Sequence, residues 1–256
     1  MNLSIRLTAV AYIIRECIRG FGHDKPVVVA DIGCDHGYLG IYLCERDIIA
    51  NGRILACDLR KGPLKIAGKN INVAGLSDRI ETRLSDGLEK IKPGEADIIT
   101  VNGMGGELIF DILKRGEQVL KSASCAVVSP QSKLPAFRYC MRRCNVHISR
   151  EEVVYDSGKY YHIFVLDELE KADFSALESF ADPDIGDLSY EDYIGVATVY
   201  GVYTEELHKK KKLLEDAESQ IKNEHKEDGS ESDKRLKDRI CDMHTEIGFI
   251  ERALVN

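Results

Sequence analysis

The sequence predicts an α/β protein with a mainly parallel, seven-stranded sheet followed by a C-terminal α-helical hairpin. Segments rich in β-branched residues recur between residues 27 and 166, and helical patterns lie between most of them. The last two of these segments are joined by Asp156-Ser157-Gly158-Lys159, a hairpin-type turn. Closer to the C-terminus, apolar residues alternate by four and three, which predicts a coiled-coil-like pair of helices.

The elements follow one another in a regular order. Ser4 is a suitable cap for a first helix, which Gly20 and Gly22 end. The predicted strands are Val27–Ile32, Arg53–Cys57, Arg79–Leu84, Asp97–Val101, Cys125–Ser129, Val146–Tyr155 and Tyr160–Leu166. Helical patterns between them include Leu39–Ile48, Pro63–Ala74 and Glu107–Leu120. Helices on both faces of such a sheet, closed by an antiparallel hairpin, are typical of Rossmann-like class I methyltransferases rather than of NAD dehydrogenases.

A second domain is expected after residue 168, so we predict domains at 1–168 and 169–256. Residues 168–189 are acidic and weakly periodic, which indicates a linker or a poorly packed connection. Two heptad-like runs follow, at 200–221 and 236–254, and Asp228-Gly229-Ser230 separates them. The basic run Lys209–Lys212 predicts a solvated helix face, with RNA contact as the alternative.

Composition narrows the classes of protein. No run is long and apolar enough for a membrane span, and the N-terminus lacks a signal-peptide pattern, so we expect a cytoplasmic protein without a membrane partner. The eight cysteines include no Cys-x-x-Cys pair, which favours reduced thiols over disulfides or a metal site. The net charge of −8 is uneven: residues 169–256 hold 12 basic and 22 acidic residues, whereas the remainder holds 23 and 21. A polyanion would therefore meet the first region more readily.

The stretch Val27–Tyr38 is the most informative one for function. A buried strand ends in Asp31 and leads through Gly33 and Gly37 into a helix, an arrangement that lets backbone amides approach a cofactor. A carboxylate at the strand end attracts a cation, so it favours S-adenosylmethionine, with its ammonium and sulfonium groups, over a dinucleotide. No Gly-x-Gly-x-x-Gly follows this strand, which also argues against NAD.

Further acidic residues follow the next two strands. Asp58 is placed to accept both ribose hydroxyls of an adenosine cofactor. Asp86 is placed to accept a hydrogen bond from the adenine amine, or to form an Asp-Gly turn with Gly87. His36 is interpreted as a structural or cofactor-contacting residue, and Tyr38 as a base-stacking or core residue. The predicted cofactor contacts are Asp31, Gly33, Cys34, His36, Tyr38, Asp58, Leu59, Asp86, Gly87, Asn102 and Gly103.

The acceptor of the reaction is predicted to lie beside the fourth and fifth strands. The fourth strand ends in Asn102-Gly103-Met104-Gly105-Gly106, whose glycines suggest a ligand lying against bare backbone. Asn102 can meet the edge of a base or bridge loop amides. Three arginines in the helix after the fifth strand suit phosphate contacts, with a solvated face as the alternative. The predicted substrate contacts are Met104, Gly105, Gly106, Pro130, Gln131, Arg138, Arg142 and Arg143.

Asp35 is the predicted catalytic residue. Methyl transfer is an in-line displacement that mainly needs positioning, and a carboxylate near the acceptor can take a proton or stabilise developing positive charge. The alternative is that Asp35 caps the following helix.

Four motifs carry a resemblance to a known family. They are Asp-Ile-Gly-Cys-Asp-His-Gly-Tyr-Leu at 31–39, Lys-Gly-Pro-Leu at 61–64, Gly-Met-Gly-Gly at 103–106 and Asp-Ser-Gly-Lys-Tyr-Tyr at 156–161. Over nearly the whole chain the sequence resembles the bacterial tRNA (adenine-22-N1)-methyltransferase family, TrmK. The family's usual Ser is Cys34 here, its usual Ala is Gly37, and the residue before Gly-Met-Gly-Gly, often Ala, is Asn102.

The resemblance implies transfer of a methyl group from S-adenosylmethionine to N1 of adenosine 22 in the D-arm of tRNA. Asp35 matches the acidic residue of the family's first motif and is expected to stabilise or deprotonate the product at its exocyclic amine. The adenine must leave its stacked position, at a cost of a few kcal/mol, and the RNA is expected to be recognised by shape and backbone. We expect a monomer that needs no metal.

Two other functions are compatible with the same residues. The first is a methyltransferase that acts on a small molecule or a protein. The second is a non-catalytic RNA-binding protein that keeps the fold, against which the acidic residues Asp31, Asp58 and Asp86 argue.

Overall fold

A seven-stranded sheet is the centre of the first structural unit, Met1–Ala181, in the computed structural model. The structure describes residues 3–21, 26–195, 200–223 and 231–255. The strands are β1 (Val28–Ile32), β2 (Arg53–Asp58), β3 (Ile80–Leu84), β4 (Ile98–Met104), β5 (Cys125–Pro130), β6 (His147–Asp156) and β7 (Lys159–Asp167). Their order is β3-β2-β1-β4-β5-β7-β6; β7 is antiparallel to both of its neighbours, β5 and β6, and the other pairs are parallel. The predicted fold class is confirmed.

Helices cover both faces of this sheet. They are α1 (Ile5–Gly20), α2 (Tyr38–Glu45), α3 (Lys61–Val73), α4 (Gly106–Arg115), α5 (Glu117–Lys121) and α6 (Leu134–Arg143). Helices α1, α2 and α3 pack on one face around Ile14, Leu43 and Ile54, while α4, α5 and α6 pack on the other around Phe110 and Phe137. Each face therefore has its own apolar core.

The single helix predicted over Glu107–Leu120 is wrong, because the chain forms α4 and α5 with a break between them. The break lies at Gly116, where a Cβ atom would stand 2.4 Å from Leu88 Cδ1. This close approach of the loop after β3 explains why a glycine interrupts an otherwise helical pattern.

The strand order creates a crevice at the carboxyl edge of the sheet. Strand β1 lies between β2 and β4, so the chain leaves it on one side and returns on the other. Ligands of open α/β sheets bind at such a switch point. The ends of β1, β2, β3, β4 and β5 thus bring sequence-distant loops to one place.

Strand β4 is longer than predicted and contains a bulge. Asn102 pairs with Ser129 and Met104 pairs with Pro130, so Gly103 is an extra residue in β4. Gly103 has φ +78°, which only glycine adopts at little cost. The bulge carries β4 three residues beyond the predicted end and changes the direction of the chain at the carboxyl edge.

The segment after β7 is packed, contrary to the prediction of a poorly packed connection. Leu169, Ala172 and Phe174 are buried in the core that contains Phe110, and the Phe110 and Phe174 rings are 5.6 Å apart. The first unit accordingly extends to Ala181 rather than to residue 168. The periodicity is hidden because short 3₁₀ turns, Leu169–Lys171 and Phe174–Ala176, replace longer elements.

The second unit, Asp182–Asn256, is helical. It contains α7 (Tyr190–Ile194), α8 (Tyr200–Asn223) and α9 (Glu231–Val255), and α8 and α9 form the predicted antiparallel hairpin. Within the basic run, Lys210 pairs with Glu246, and Lys211 Nζ lies 2.7 Å from Glu251 Oε1. The predicted turn at Asp228-Gly229-Ser230 lies outside the described residues, as does Gly22.

Three further findings concern the classes considered above. None of the described helices is long and apolar enough to cross a membrane. Within the described ranges, no group of three or more His, Cys, Asp or Glu side chains is arranged to hold a metal ion. All eight cysteines are free thiols.

Candidate active site

A cavity of about 550 Å³ opens at the carboxyl edge of the sheet, between the ends of β1, β2, β3, β4 and β5. Its wall contains all eleven residues predicted to contact a cofactor, together with Asp35. Of the predicted substrate contacts, Met104 and Gln131 line the cavity, whereas Gly105, Gly106, Pro130 and the three arginines do not. The structure thus brings the motif at 31–39 together with the later strand ends.

Asp58 fixes the turn after β1. Its side chain is 6% exposed, its Oδ2 accepts from the Asp35 backbone N–H at 3.2 Å, and its Oδ1 accepts from the Arg60 N–H at 2.8 Å. The Gly33 and Cys34 amides donate to the Cys57 carbonyl at 2.8 and 2.9 Å. The turn is therefore held to β2 by backbone contacts, and Asp58 keeps spare acceptor capacity toward the cavity.

Asp31 is buried at the base of the cavity. Burial, with a smaller contribution from the neighbouring Asp58 carboxylate, raises the pKa of Asp31 to about 7. Among the described residues its carboxylate has no hydrogen-bond partner. A buried carboxylate without a protein partner is costly, so the site is suited to a ligand that brings a positive charge.

Cys34 lies beside these two carboxylates. Burial first, and then the charges of Asp31 and Asp58, raise the pKa of the Cys34 thiol far above its usual range. Cys34 is therefore a neutral lining group of the cavity, since the thiolate is the nucleophilic form.

Asp35 does not cap helix α2. The helix begins after Gly37 without a side-chain cap, and Asp35 adopts φ +50° with its side chain 60% exposed. Its Oδ2 lies 3.7 Å from His36 Nε2. The capping interpretation is wrong, because Gly37 occupies the cap position and the Asp35 side chain accepts no helix amide; Asp35 instead lines the cavity.

His36 and Tyr38 form an aromatic part of the wall. Their rings meet edge to face with centroids 5.6 Å apart, and His36 Nδ1 is buried with no partner among the described residues. Tyr38 is 41% exposed, so the core-packing interpretation is wrong. An exposed ring and an unsatisfied ring nitrogen both favour contact with a ligand.

Asp86 takes part in a bidentate ion pair rather than standing free. Arg115 Nη1 and Nη2 lie 2.9 and 3.0 Å from its two carboxylate oxygens. The hydrogen bonds from Arg115, and its charge, hold the pKa of Asp86 below its usual value. Asp86 also begins the turn at Gly87 that sequence analysis left as the alternative, and it still lines the cavity.

The wall formed by β4 and β5 carries amides instead of carboxylates. Asn102 Nδ2 donates to Thr100 Oγ1 at 2.6 Å, while Asn102 Oδ1 is buried with no partner among the described residues. Beside it, the bare α-carbon of Gly103 and the side chain of Gln131 complete the wall. This half of the cavity is suited to hydrogen bonding a neutral polar group.

Comparison with known proteins identifies the domain. Residues 3–164 match the family described as "Methyltransferase domain". The chain belongs to this methyltransferase family. The match covers α1 and nearly all of the sheet, including the strand ends that form the cavity.

Individual relatives confirm the resemblance that the motifs predicted. The chain is 34% identical over 165 residues to the tRNA (adenine(22)-N(1))-methyltransferase of Bacillus subtilis, which is 64% of this chain. It spans 65% of the length of that curated relative. Among solved structures, it is similar to the B. subtilis m1A22 tRNA methyltransferase TrmK, with 25% identity, 99% coverage of each chain and a TM-score of 0.74. It is also similar to M. capricolum TrmK, solved with S-adenosyl-homocysteine, with 25% identity, a TM-score of 0.65 and coverage of 97% and 99%.

Arg138 was predicted to contact the substrate, and this prediction is wrong. Its Nη2 lies 2.5 Å from Glu151 Oε1, and His162 Nδ1 lies 2.6 Å from the same oxygen. Arg138 and Glu151 are 4% and 0% exposed at their side chains. Burial raises the pKa of Glu151, but the hydrogen bond from His162 and the charge of Arg138 outweigh it and hold this pKa below its usual value. Arg138 therefore links α6 to β6.

The other predicted substrate contacts outside the cavity have ordinary structural positions. Helix α6 begins just after the carboxyl edge and runs away from it, so Arg142 and Arg143 lie exposed in its last turn. Pro130 is buried in β5. Gly106 packs against the chain after β5, since a Cβ atom there would stand 2.7 Å from the Ser132 carbonyl oxygen. Only Gly103, of the three glycines, leaves backbone bare toward the cavity.

Sequence reasoning missed eight residues of the wall. They are Arg6, Leu7, Ile32, Leu39, Arg60, Ser85, Leu108 and Ile112. Four of them, Ile32, Leu39, Arg60 and Ser85, flank residues that were predicted, and Leu108 and Ile112 belong to α4. Arg6 and Leu7 are different, because they belong to α1, whose apolar spacing indicated packing only. The one sequence feature that could have indicated Arg6 is its position two residues after Ser4, in the first turn of the helix. Ser4 does cap this helix, since its Oγ accepts from the Leu7 N–H at 3.3 Å.

Proposed function

We propose that this chain transfers the methyl group of S-adenosylmethionine to N1 of adenosine 22 in tRNA. The observation that carries the proposal is the division of the cavity: carboxylates end β1, β2 and β3, while amides and bare glycine end β4 and β5. The first half suits a cationic nucleoside and the second suits a neutral base. Membership of the methyltransferase-domain family and the named activity of the B. subtilis relative support it.

The residues present fit S-adenosylmethionine. When bound, this cofactor supplies an electrophilic methyl group on a sulfonium. Asp31 offers carboxylate oxygens without a protein partner to a positive charge, and Asp58 offers its remaining lone pairs to ribose hydroxyls. His36 Nδ1 is a buried polar atom that needs a partner. A volume of about 550 Å³ lies within the usual range of small-molecule sites.

The acceptor side of the cavity suits an extruded adenine. N1 of adenine has a lone pair, so no prior deprotonation is needed, and positive charge builds on the base during transfer. The exposed carboxylate of Asp35 stabilises that charge or receives a proton from the exocyclic amine. Asn102 and Gln131 orient the edge of the base, and the exposed ring of Tyr38 stacks on it.

The proposal extends to the partner. We propose that the D-arm of tRNA is the region bound, that the working unit is a monomer in the cytoplasm, and that the reaction uses no metal.

The test is site-mapped methylation of an unmodified tRNA transcript. Purified protein and S-adenosylmethionine should produce a primer-extension arrest at position 22, because N1-methylation blocks the Watson–Crick edge. A transcript with guanosine at position 22 is the matched control and should show no arrest. The absence of an arrest, or an arrest at another position, would contradict the proposal.

A further inference from the structure

The rim of the cavity presents an electrostatic problem for an RNA substrate. Asp35 is exposed at the mouth and Asp31 and Asp58 lie behind it, while Asp86 on the same rim is paired with Arg115. The phosphates that flank a target nucleotide are repelled by such a surface unless a cation lies close to it. Among the residues of the wall, the cations are Arg6 and Arg60.

Arg60 already faces a carboxylate. Its Nε lies 3.8 Å from Asp58 Oδ1, on the side of the cavity assigned to the cofactor. Arg6 is different: within the described residues its guanidinium makes no hydrogen bond, and its charge interacts with the Asp156 carboxylate only at longer range. The donors of its planar fork are therefore available to an anion, and this fork matches the geometry of a phosphate.

Arg6 is nevertheless held in place. Its guanidinium carbon lies 4.8 Å from the centroid of the Tyr161 ring, a cation–π contact. Its backbone N–H donates to Asp156 Oδ2 at 3.1 Å, which fixes the first turn of α1 to the β6–β7 hairpin. A side chain held by stacking while its donors remain open loses little entropy when it binds a ligand.

The strand order places Arg6 on the acceptor side. Tyr161 and Asp156 belong to β7 and β6, whereas Asp58 and Asp86 follow β2 and β3, at the other end of the sheet. Arg6 thus reaches the cavity from the side of Asn102 and Gln131, away from the carboxylates that hold the cofactor.

We propose that Arg6 binds a backbone phosphate next to the adenosine that is methylated, and that Tyr161 and Asp156 are positioning residues for it. This inference rests on the proposed function. Binding one phosphate at the rim offsets part of the cost of extruding the base and sets how deep the base enters. The motif Asp156–Tyr161 and the N-terminal helix then act together, although 150 residues separate Arg6 from Asp156.

The first experiment compares Arg6→Gln with the wild-type protein on the tRNA transcript. Loss of one charge-assisted contact should raise KM for tRNA about tenfold or more, and should lower the salt slope of RNA binding by about one. The Kd for S-adenosylmethionine, measured by calorimetry, should change less than about twofold, since the phosphate is not part of the cofactor. A higher Kd for S-adenosylmethionine with an unchanged KM for tRNA would assign Arg6 to the cofactor carboxylate and overturn the proposal.

The second experiment removes the phosphate charge instead. A transcript assembled with one neutral methylphosphonate linkage on either side of adenosine 22 should lose activity with the wild-type protein at one of the two linkages. With Arg6→Gln the same linkage should cause no further loss, because the two changes remove one contact. Fully multiplicative losses at both linkages would overturn the proposal.

Arg15→Gln is the matched control. Arg15 also lies on α1 and also stacks on a tyrosine, with its guanidinium carbon 4.6 Å from the Tyr12 centroid, but it does not line the cavity. It should keep the wild-type response to both linkages. If Arg15→Gln abolishes that response as Arg6→Gln does, the effect comes from the general attraction of positive charge for RNA. A specific contact between Arg6 and one phosphate is then excluded.

Tyr161 separates positioning from simple packing. Tyr161→Phe keeps the ring under Arg6 and should keep KM for tRNA, whereas Tyr161→Leu should raise it several-fold without changing cofactor affinity. Equal behaviour of the two variants would remove Tyr161 from the proposal. A wild-type protein that leaves adenosine 22 unmethylated would overturn the proposed function, and this inference with it.

Discussion

The two halves of the cavity are built in different ways. The half assigned to the cofactor consists of strand ends and the turns that follow them, and backbone amides fix its central carboxylate, Asp58. The half assigned to the acceptor is assembled from α1, β4, β5 and the β6–β7 hairpin, and contacts between residues far apart in sequence hold α1 to the hairpin. A local motif therefore specifies the first half, whereas only the completed fold specifies the second.

This difference predicts where substitutions act. Changes in the long-range contacts that hold the acceptor half should alter the stability of the fold or the handling of RNA, while changes of the carboxylates Asp31 and Asp35 should alter the chemistry or its pH dependence. Three substitutions test this division, in addition to those at Arg6.

The largest effect is expected at Arg138, which supports the strands of the acceptor half. Arg138→Met leaves the buried Glu151 carboxylate without its charged partner and should lower the free energy of unfolding by about 3–5 kcal/mol. Urea denaturation measures this loss. The double variant Arg138→Met/Glu151→Leu should recover most of it, because no buried charge is then left alone. Full stability combined with weaker tRNA binding would restore the phosphate-contact interpretation.

The next effect is expected at Asp35, where chemistry and binding separate. Asp35→Asn keeps the size of the side chain and tolerates φ +50°, so the turn should persist. Losing the carboxylate should reduce kcat for tRNA methylation about 100-fold, the lower end of the usual range for a proton-transfer or charge-stabilising group. Cofactor affinity should stay within about twofold. Unchanged kcat would remove Asp35 from the mechanism.

The smallest of the three effects concerns Asp31 and pH. The folded pKa of about 7 means that Asp31 is protonated below neutrality and ionised above it. The cationic cofactor binds the ionised form, so its affinity should fall as pH falls, by about tenfold between pH 8 and pH 6 for one linked proton. Calorimetry in buffers of different ionisation enthalpy measures the proton released on binding. Asp31→Asn should abolish this release, and a wild-type affinity that does not vary with pH would contradict the assignment.

The sequence predicted the cofactor half well for a physical reason. Asp31 and Asp58 lie at the ends of the buried strands β1 and β2, Asp86 follows β3, and parallel strands must bring their carboxyl ends to one edge. A strand pattern and a single acidic residue therefore locate each of them. The helical hairpin was equally predictable, because a heptad repeat identifies the apolar helix faces that pack against each other.

The sequence did not predict the acceptor half, since its contacts are long-range. Arg138 is of a residue type that often binds phosphate. Only the fold shows that it is buried and paired with Glu151 on β6. Arg6 has the spacing of a surface residue on α1, and only Tyr161 and Asp156 show that it reaches the cavity. The glycines at 103 and 106 look alike in sequence, yet one forms a bulge and the other allows close packing.

The thiol of Cys34 has a practical consequence. Because it stays neutral at the base of the cavity, electrophilic reagents gain no anchoring nucleophile there, and an inhibitor of this site must rely on reversible contacts. Cys241, by contrast, is exposed on α9. A maleimide dye attached at that sulfur would report on the helical hairpin while leaving the chemistry of the sheet edge untouched.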